Sequence, residues 1–238
     1  MNPYQKLMAR KRKWTPVQTT AGTCKQGAEE AIYRALALRH MELPVGDFIT
    51  HALNHEVPTL AREVLVSNVT DEENHDIALG YIANAYGVDE TAEKEAKRLR
   101  TAWEAHPDHT ITKALVAERA IFFVLLPFFR FNGDAGMRTV SADISRDEQI
   151  HVATNSLVHT ELGYNISPSL DKLRKATINW VMQPLGINTV DKYLDKKFWL
   201  ESSDRLMYEG KAPQLAETKS ARMPAFFEHS NVNLPQYA

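Results

Sequence analysis

The pattern that most constrains this chain is a pair of Glu-x-x-His elements far apart in the sequence, Glu72–His75 and Glu148–His151. On an α-helix, residues i and i+3 lie on one face, so each element aims a carboxylate and an imidazole at one point. One such element is weak evidence. Two of them, each within a long segment of helical character, indicate that two helices meet around a shared site.

The rest of the sequence also favours helices. Glycine and proline are sparse, at 10 and 11 of 238 residues, and they cluster between long segments of helical periodicity. No run shows the strict alternation that is typical of strands, and 44% hydrophobic residues allow a sizeable core. We expect an all-α bundle. The predicted helices cover residues 26–42, 45–54, 58–86, 91–105, 111–131, 136–159, 170–185 and 190–208.

The C-terminal part of the chain departs from this pattern. From Gly210 onward the apolar periodicity fades, and Pro213, Pro224 and Pro235 interrupt the segment. A segment of this kind does not bury enough apolar surface to order itself. We therefore expect a helical domain over residues 1–209 and a flexible tail over residues 210–238.

Charge and cysteine content exclude several classes of function. The net charge of -2 predicts no general attraction to nucleic acid or to anionic membranes. We interpret the basic run 9–13 as solvated surface, with nucleic-acid binding as the alternative, and we place Asp71, Glu73 and Asp76 on the surface too. The single cysteine, Cys24, allows no internal disulfide, and no apolar run reaches the ~20 residues that span a bilayer. We expect a cytoplasmic protein.

A dinuclear metal site in a helical bundle needs two further carboxylates, one from each remaining helix. Glu118 lies in the apolar segment 114–123, where burying a carboxylate is costly unless a cation compensates it. The fourth carboxylate stays open, because periodicity alone does not separate Glu42 from Glu29, and Glu30 is also a candidate. Oxygen-rich ligands with one imidazole per metal favour iron or manganese, two ions per chain.

Several segments stand out along the chain. Ser145–His151 contains an R-D-E-x-x-H motif, and Glu118–Phe123 is a Glu followed by apolar and aromatic residues. The other segments are Ala61-Arg62 ahead of Glu72–His75, Lys13-Trp14-Thr15-Pro16, and Phe226-Phe227-Glu228 with Tyr237 after it. In this order they resemble the motifs of the small subunits of class I ribonucleotide reductases. The likeness implies a ferritin-like helical bundle with a dinuclear metal site in its core.

This resemblance implies a ligand set and a function. The spacing in that family favours Glu42 over Glu29, which gives the ligands Glu42, Glu72, His75, Glu118, Glu148 and His151. After reaction with oxygen or a reduced oxygen species, Trp14, Asp147 and Tyr237 would pass the oxidising equivalent to a large subunit, which reduces ribonucleotides to deoxyribonucleotides. A homodimer is also expected from the family. The reduction consumes a dithiol, which a chain with one cysteine does not supply by itself.

One position departs from the family's pattern. Many members store a radical on a tyrosine four residues after the first ligand histidine, where this chain has Leu79. Tyr81 is two residues further on and lies on another side of the helix. We therefore expect the stored oxidising equivalent on the metals or on another residue. The alternatives to a reductase subunit are a stand-alone di-metal oxidase with an apolar substrate tunnel and an iron-storage shell.

Overall fold

The structure, a computed structural model, describes residues 1–55 and 57–215. Over these residues it contains helices and loops but no strand, so the predicted all-α class is confirmed. The α-helices are α1 (Pro3–Met8), α2 (Glu29–Ala37), α3 (Glu42–Leu53), α4 (Arg62–Tyr86), α5 (Glu90–Ala105), α6 (Thr110–Ala117), α7 (Phe123–Asn132), α8 (Ala135–Glu161), α9 (Pro168–Met182) and α10 (Lys196–Glu209).

The two longest helices form the middle of the bundle. Helix α4 packs along α3 and meets α8, while α6 and α7 also pack on α8. Helices α9 and α10 pack on the outside, where α10 contacts the junction between α6 and α7. None of the described helices combines the length and the apolar character needed to cross a membrane.

Side-chain caps fix where several of these helices begin. The carboxylate of Asp134 accepts a hydrogen bond from the Met137 amide at 2.8 Å and starts α8. The same carboxylate also accepts from the Gly22 amide at 2.8 Å, so it ties the N-terminal segment to the bundle. At its other end, α4 stops at Gly87, whose φ of +99° suits glycine.

The first predicted helix differs from the observed one. The sequence predicted one helix over 26–42 that stops at Leu43-Pro44, but α2 ends at Ala37 and a 3₁₀ turn follows. A new helix, α3, begins at Glu42 and carries Pro44 in its first turn. Proline fits there because the first-turn amides have no partner within the helix. The break places Glu42 at a junction that faces the middle of the bundle.

The start of the predicted C-terminal tail is also visible. Helix α10 ends at Glu209, and Gly210 is left-handed, with φ +69°. This positive φ favours glycine, and a Cβ at Gly210 would also displace the guanidinium of Arg119, which would lie 2.6 Å from it. Leu215 is buried in a short 3₁₀ turn against the bundle. The remainder of the 210–238 segment lies outside the described residues, and the domain boundary stays a prediction.

Helix α5 has the charged, solvated character that its sequence predicted, with one exception. Trp103 is fully buried and donates from its indole nitrogen to the hydroxyl of Thr177 at 3.0 Å. Ala92 and Ala96 are the other buried residues of this helix. Trp103 is therefore the side chain that fastens α5 to α9.

We predict that Trp103→Ala destabilises the protein by about 3–5 kcal/mol, because it leaves a large cavity and removes the hydrogen bond from the indole to Thr177. Urea unfolding followed by circular dichroism measures the change. The matched control is Arg98→Ala on the same helix, where the side chain is 74% exposed and the midpoint should hardly move. Equal midpoints for the two variants would contradict the role of Trp103.

Candidate metal centre

The middle of the bundle holds six buried side chains of the kinds that bind metals, and none is more than 2% exposed. The two Glu-x-x-His elements lie near the midpoints of α4 and α8, facing each other. Glu42 enters from the start of α3, and Glu118 enters from the α6–α7 junction. The six residues are Glu42, Glu72, His75, Glu118, Glu148 and His151.

Their ligand atoms form two groups, each with all its atoms within 4.8 Å of one another. One group contains Glu42, Glu72, His75 and Glu148, and the other contains Glu72, Glu118 and His151. Glu72 belongs to both. This arrangement offers two neighbouring places for a cation with a carboxylate between them.

Two carboxylates lie between the two imidazoles. Glu72 directs Oε2 at Nδ1 of His75, 3.6 Å away, and Oε1 at Nδ1 of His151, 2.9 Å away. Glu148 repeats the arrangement, with Oε1 3.5 Å from Nδ1 of His75 and Oε2 3.9 Å from Nδ1 of His151. Each carboxylate thus turns one oxygen to each histidine, and would be within reach of a cation held beside either imidazole.

The inward-facing atoms of the site lack hydrogen-bond partners. Buried polar atoms are nearly always paired in folded proteins, so a cluster of unpaired ones needs an explanation. Two cations would coordinate all of them, and the donor set of oxygen with imidazole nitrogen suits iron or manganese. The unpaired atoms are Oε2 of Glu42, both oxygens of Glu72 and of Glu148, Oε1 of Glu118, and Nδ1 of His75 and His151.

Electrostatics support the same conclusion. Burial, and then the charge of Glu148, raises the pKa of Glu118 well above its usual value, and burial likewise raises the pKa of Glu42. Burial by itself would lower the pKa of His151, but the carboxylates of Asp71 and Glu72 beside its ring raise it to about 10. Without a cation, the raised pKa values favour protonated Glu42 and Glu118. Cations bound among the carboxylates would offset their mutual repulsion and favour the charged forms instead.

The outward nitrogen of His75 faces a second buried carboxylate. Nε2 of His75 lies 3.4 Å from Oδ2 of Asp147, and that oxygen accepts a hydrogen bond from the indole of Trp14 at 2.6 Å. A carboxylate at Nε2 keeps the proton on that nitrogen and leaves Nδ1 free for a metal. Trp14, Asp147 and His75 therefore form a continuous hydrogen-bonded line, which we call the Trp14 line.

Glu118 lies at the start of a π-turn, Glu118–Phe122, that interrupts the helix between α6 and α7. Such turns often occur at functional sites. The hydroxyl of Ser203 on α10 donates to the Ala120 carbonyl at 2.6 Å, and the amide of Asn155 donates to Oε2 of Glu118 at 2.7 Å. These contacts leave Oε1 of Glu118 for the centre.

Sequence reasoning missed the π-turn and both supporting residues. Helical periodicity does not distinguish five residues of π-turn from α-helix. Asn155, in contrast, follows His151 by four residues and so shares its helix face. This spacing of four residues is the sequence signal that could have identified Asn155.

The structure separates the candidates that the sequence left open. Glu29 is exposed and accepts from the Gly27 amide at 2.7 Å, and Glu30 pairs with Arg34 on the surface. The geometry therefore favours Glu42. Leu79 is buried, whereas Tyr81 lines a surface cavity. Tyr237 and the Phe226-Phe227-Glu228 segment lie outside the described residues.

Two surface expectations were wrong. Asp71 is only 7% exposed, not a surface residue. In the basic run, the side chain of Lys11 is also 7% exposed and pairs with Asp71, and Arg12 pairs with Asp143 at 3.1 Å. The acidic groups on α4 and α8 draw these cations inward, while Lys13 stays exposed as predicted.

Comparison with known proteins gives a likeness of fold. No family model matches the sequence, and no curated protein matches it. The structure is similar to a crystal structure from Bacillus halodurans that carries the provisional name class I ribonucleotide reductase. The two share 13% sequence identity and a TM-score of 0.55, over 92% of this chain and 90% of that chain.

We predict that the metal-free protein binds two Mn²⁺ or Fe²⁺ ions per chain and that Glu42→Ala lowers this number, because it removes one of the ligand oxygens. Glu29→Ala is the matched control and should bind like the unaltered protein. Glu118→Ala should also bind fewer than two ions while it keeps its helical content. Metal analysis after gel filtration measures the stoichiometry. Full binding by Glu42→Ala together with loss in Glu29→Ala would reverse the assignment.

Proposed function

We propose that this chain is the small subunit of a class I ribonucleotide reductase, a ferritin-like protein that works with a separate large subunit. The six buried residues would hold a pair of iron or manganese ions. The observation that carries the proposal is the Trp14 line, because it joins the ligand His75 to a redox-active indole outside the ring of ligands. Neither a storage protein nor a stand-alone oxidase needs such a line.

The metal pair would supply an oxidising equivalent after reaction with oxygen or a reduced oxygen species. The chain's own part is to carry it outward. Asp147 is fully buried and lies 2.6 Å from the indole nitrogen, so its carboxylate stabilises the positive charge that develops when Trp14 gives up an electron. The same carboxylate holds the proton on Nε2 of His75, so the ligand keeps one tautomer throughout.

Trp14 also stacks on His75, with 6.3 Å between ring centroids and 27° between planes. The imidazole and the indole are therefore close enough for electron transfer without any movement of the backbone. From Trp14 the equivalent would pass to Tyr237 in the C-terminal tail and on to the large subunit. Leu79 is saturated and cannot store it, so storage would fall to the metal pair or to another side chain.

Three cavities formed by described residues lie away from the six ligand residues. A groove between α1 and α8 is lined mainly by apolar atoms, but its lining contains none of the six ligand residues. The lining of a cleft between α2, α5 and α9 and that of the cavity beside Tyr81 also lack them.

We predict that Trp14→Phe and Tyr237→Phe each abolish deoxyribonucleotide formation with the large subunit, because phenylalanine is far harder to oxidise. Both variants should retain two metals per chain and normal helical content. Trp180→Phe and Tyr208→Phe are matched controls, since their rings lie on α9 and α10. The assay measures deoxyribonucleotide product with a dithiol as reductant. Full turnover by Trp14→Phe would remove the Trp14 line from the function.

A further inference from the structure

Lys11, in the basic run near the N-terminus, lies behind His151 of the metal centre. The ammonium of Lys11 pairs with Oδ2 of Asp71, and the two side chains are 7% and 10% exposed. The same oxygen is 3.0 Å from Nε2 of His151. Lys11, Asp71 and His151 therefore form a second line, the Lys11 line, that starts in the same segment as the Trp14 line.

The two lines have the same plan but different outer ends. In both, a buried carboxylate on a long helix faces Nε2 of a histidine whose Nδ1 points inward. In the Trp14 line the oxygen that faces the histidine accepts from the neutral indole N–H, and the guanidinium of Arg12 lies 3.7 Å from the other oxygen of Asp147. In the Lys11 line the oxygen that faces the histidine is itself bound by the ammonium of Lys11. The segment 11–14 thus reaches the backs of both imidazoles.

The positive charge has a specific effect on Asp71. A buried carboxylate is stable only with a partner, and the remaining contact of this oxygen is the imidazole N–H of His151. Without Lys11, Asp71 would turn toward water and release Nε2. His151 would then lose the hydrogen bond that fixes its tautomer and its ring orientation, and Nδ1 would no longer be held toward Glu72 and Glu118.

We propose that Lys11 is a positioning residue for one of the two metal ions. Acting through Asp71, it orients His151 and so controls binding in the Glu72–Glu118–His151 group. The Glu42–Glu72–His75–Glu148 group does not depend on it. This inference rests on the metal centre proposed above. A further consequence is that the packing of residues 11–14 against the bundle completes both the Glu72–Glu118–His151 group and the Trp14 line.

The test is metal binding by the full chain, with Mn²⁺ as the probe and Lys13→Met as the control. Lys13 is exposed in the same segment, so this variant removes the same charge without breaking the Lys11 line. Lys11→Met should weaken one of the two sites by about 10–100-fold, the usual cost of removing a group behind a metal-binding histidine. The other site should keep its affinity. Paramagnetic resonance should change from a coupled Mn²⁺ pair to a single uncoupled ion at intermediate Mn²⁺ concentrations.

Asp71→Asn tests the same inference independently, and it replaces Lys11→Met if that variant does not fold. It should weaken the same single site. The double variant should bind no more weakly than Asp71→Asn alone, because Lys11 acts only through that carboxylate. Equal affinities in Lys11→Met and the unaltered protein would overturn the inference, as would a matching loss in Lys13→Met. Failure of the unaltered protein to bind two ions would instead overturn the metal centre itself.

Discussion

The structure depends on one unfavourable arrangement, the burial of four glutamates and two histidines at one point of a helical core. Carboxylates removed from water repel one another, and their burial is tolerated only where cations or protons compensate them. Their eight inward atoms have no hydrogen-bond partners within the described protein. A pair of divalent cations would give all of these atoms a partner at once, so the site is one that could hold metal.

Several irregular features of the bundle serve this arrangement. The break before α3 brings Glu42 to the centre, and Pro44 fits directly after it because a first turn tolerates proline. The π-turn positions Glu118, and the hydroxyl of Ser203 on α10 donates a hydrogen bond to a carbonyl of that turn. Outside the ligands, Asp147 and Asp71 hold the two imidazoles, and the N-terminal segment binds both carboxylates in turn. The site is thus built in successive layers from parts of the chain that are far apart in sequence.

The parts that follow from helical periodicity could be predicted from the sequence. The all-α class and the facing positions of the two Glu-x-x-His elements required only the spacing i, i+3. The choice between Glu42 and Glu29 required more, because it depends on a break between α2 and α3 that periodicity does not show. The burial of Lys11 could not be predicted either, because a basic run is usually solvated and the partner of Lys11, Asp71, is distant in the chain. Long-range pairs of this kind leave no local pattern.

The central proposal is that the buried residues of α3, α4, α8 and the π-turn would hold two metal ions. The most direct measurement is anomalous X-ray diffraction at the manganese or iron edge from crystals of the metal-loaded protein. We predict two anomalous peaks per chain, one beside Nδ1 of His75 and one beside Nδ1 of His151, with Glu72 and Glu148 in contact with both. A single peak, or peaks that avoid these residues, would contradict the account.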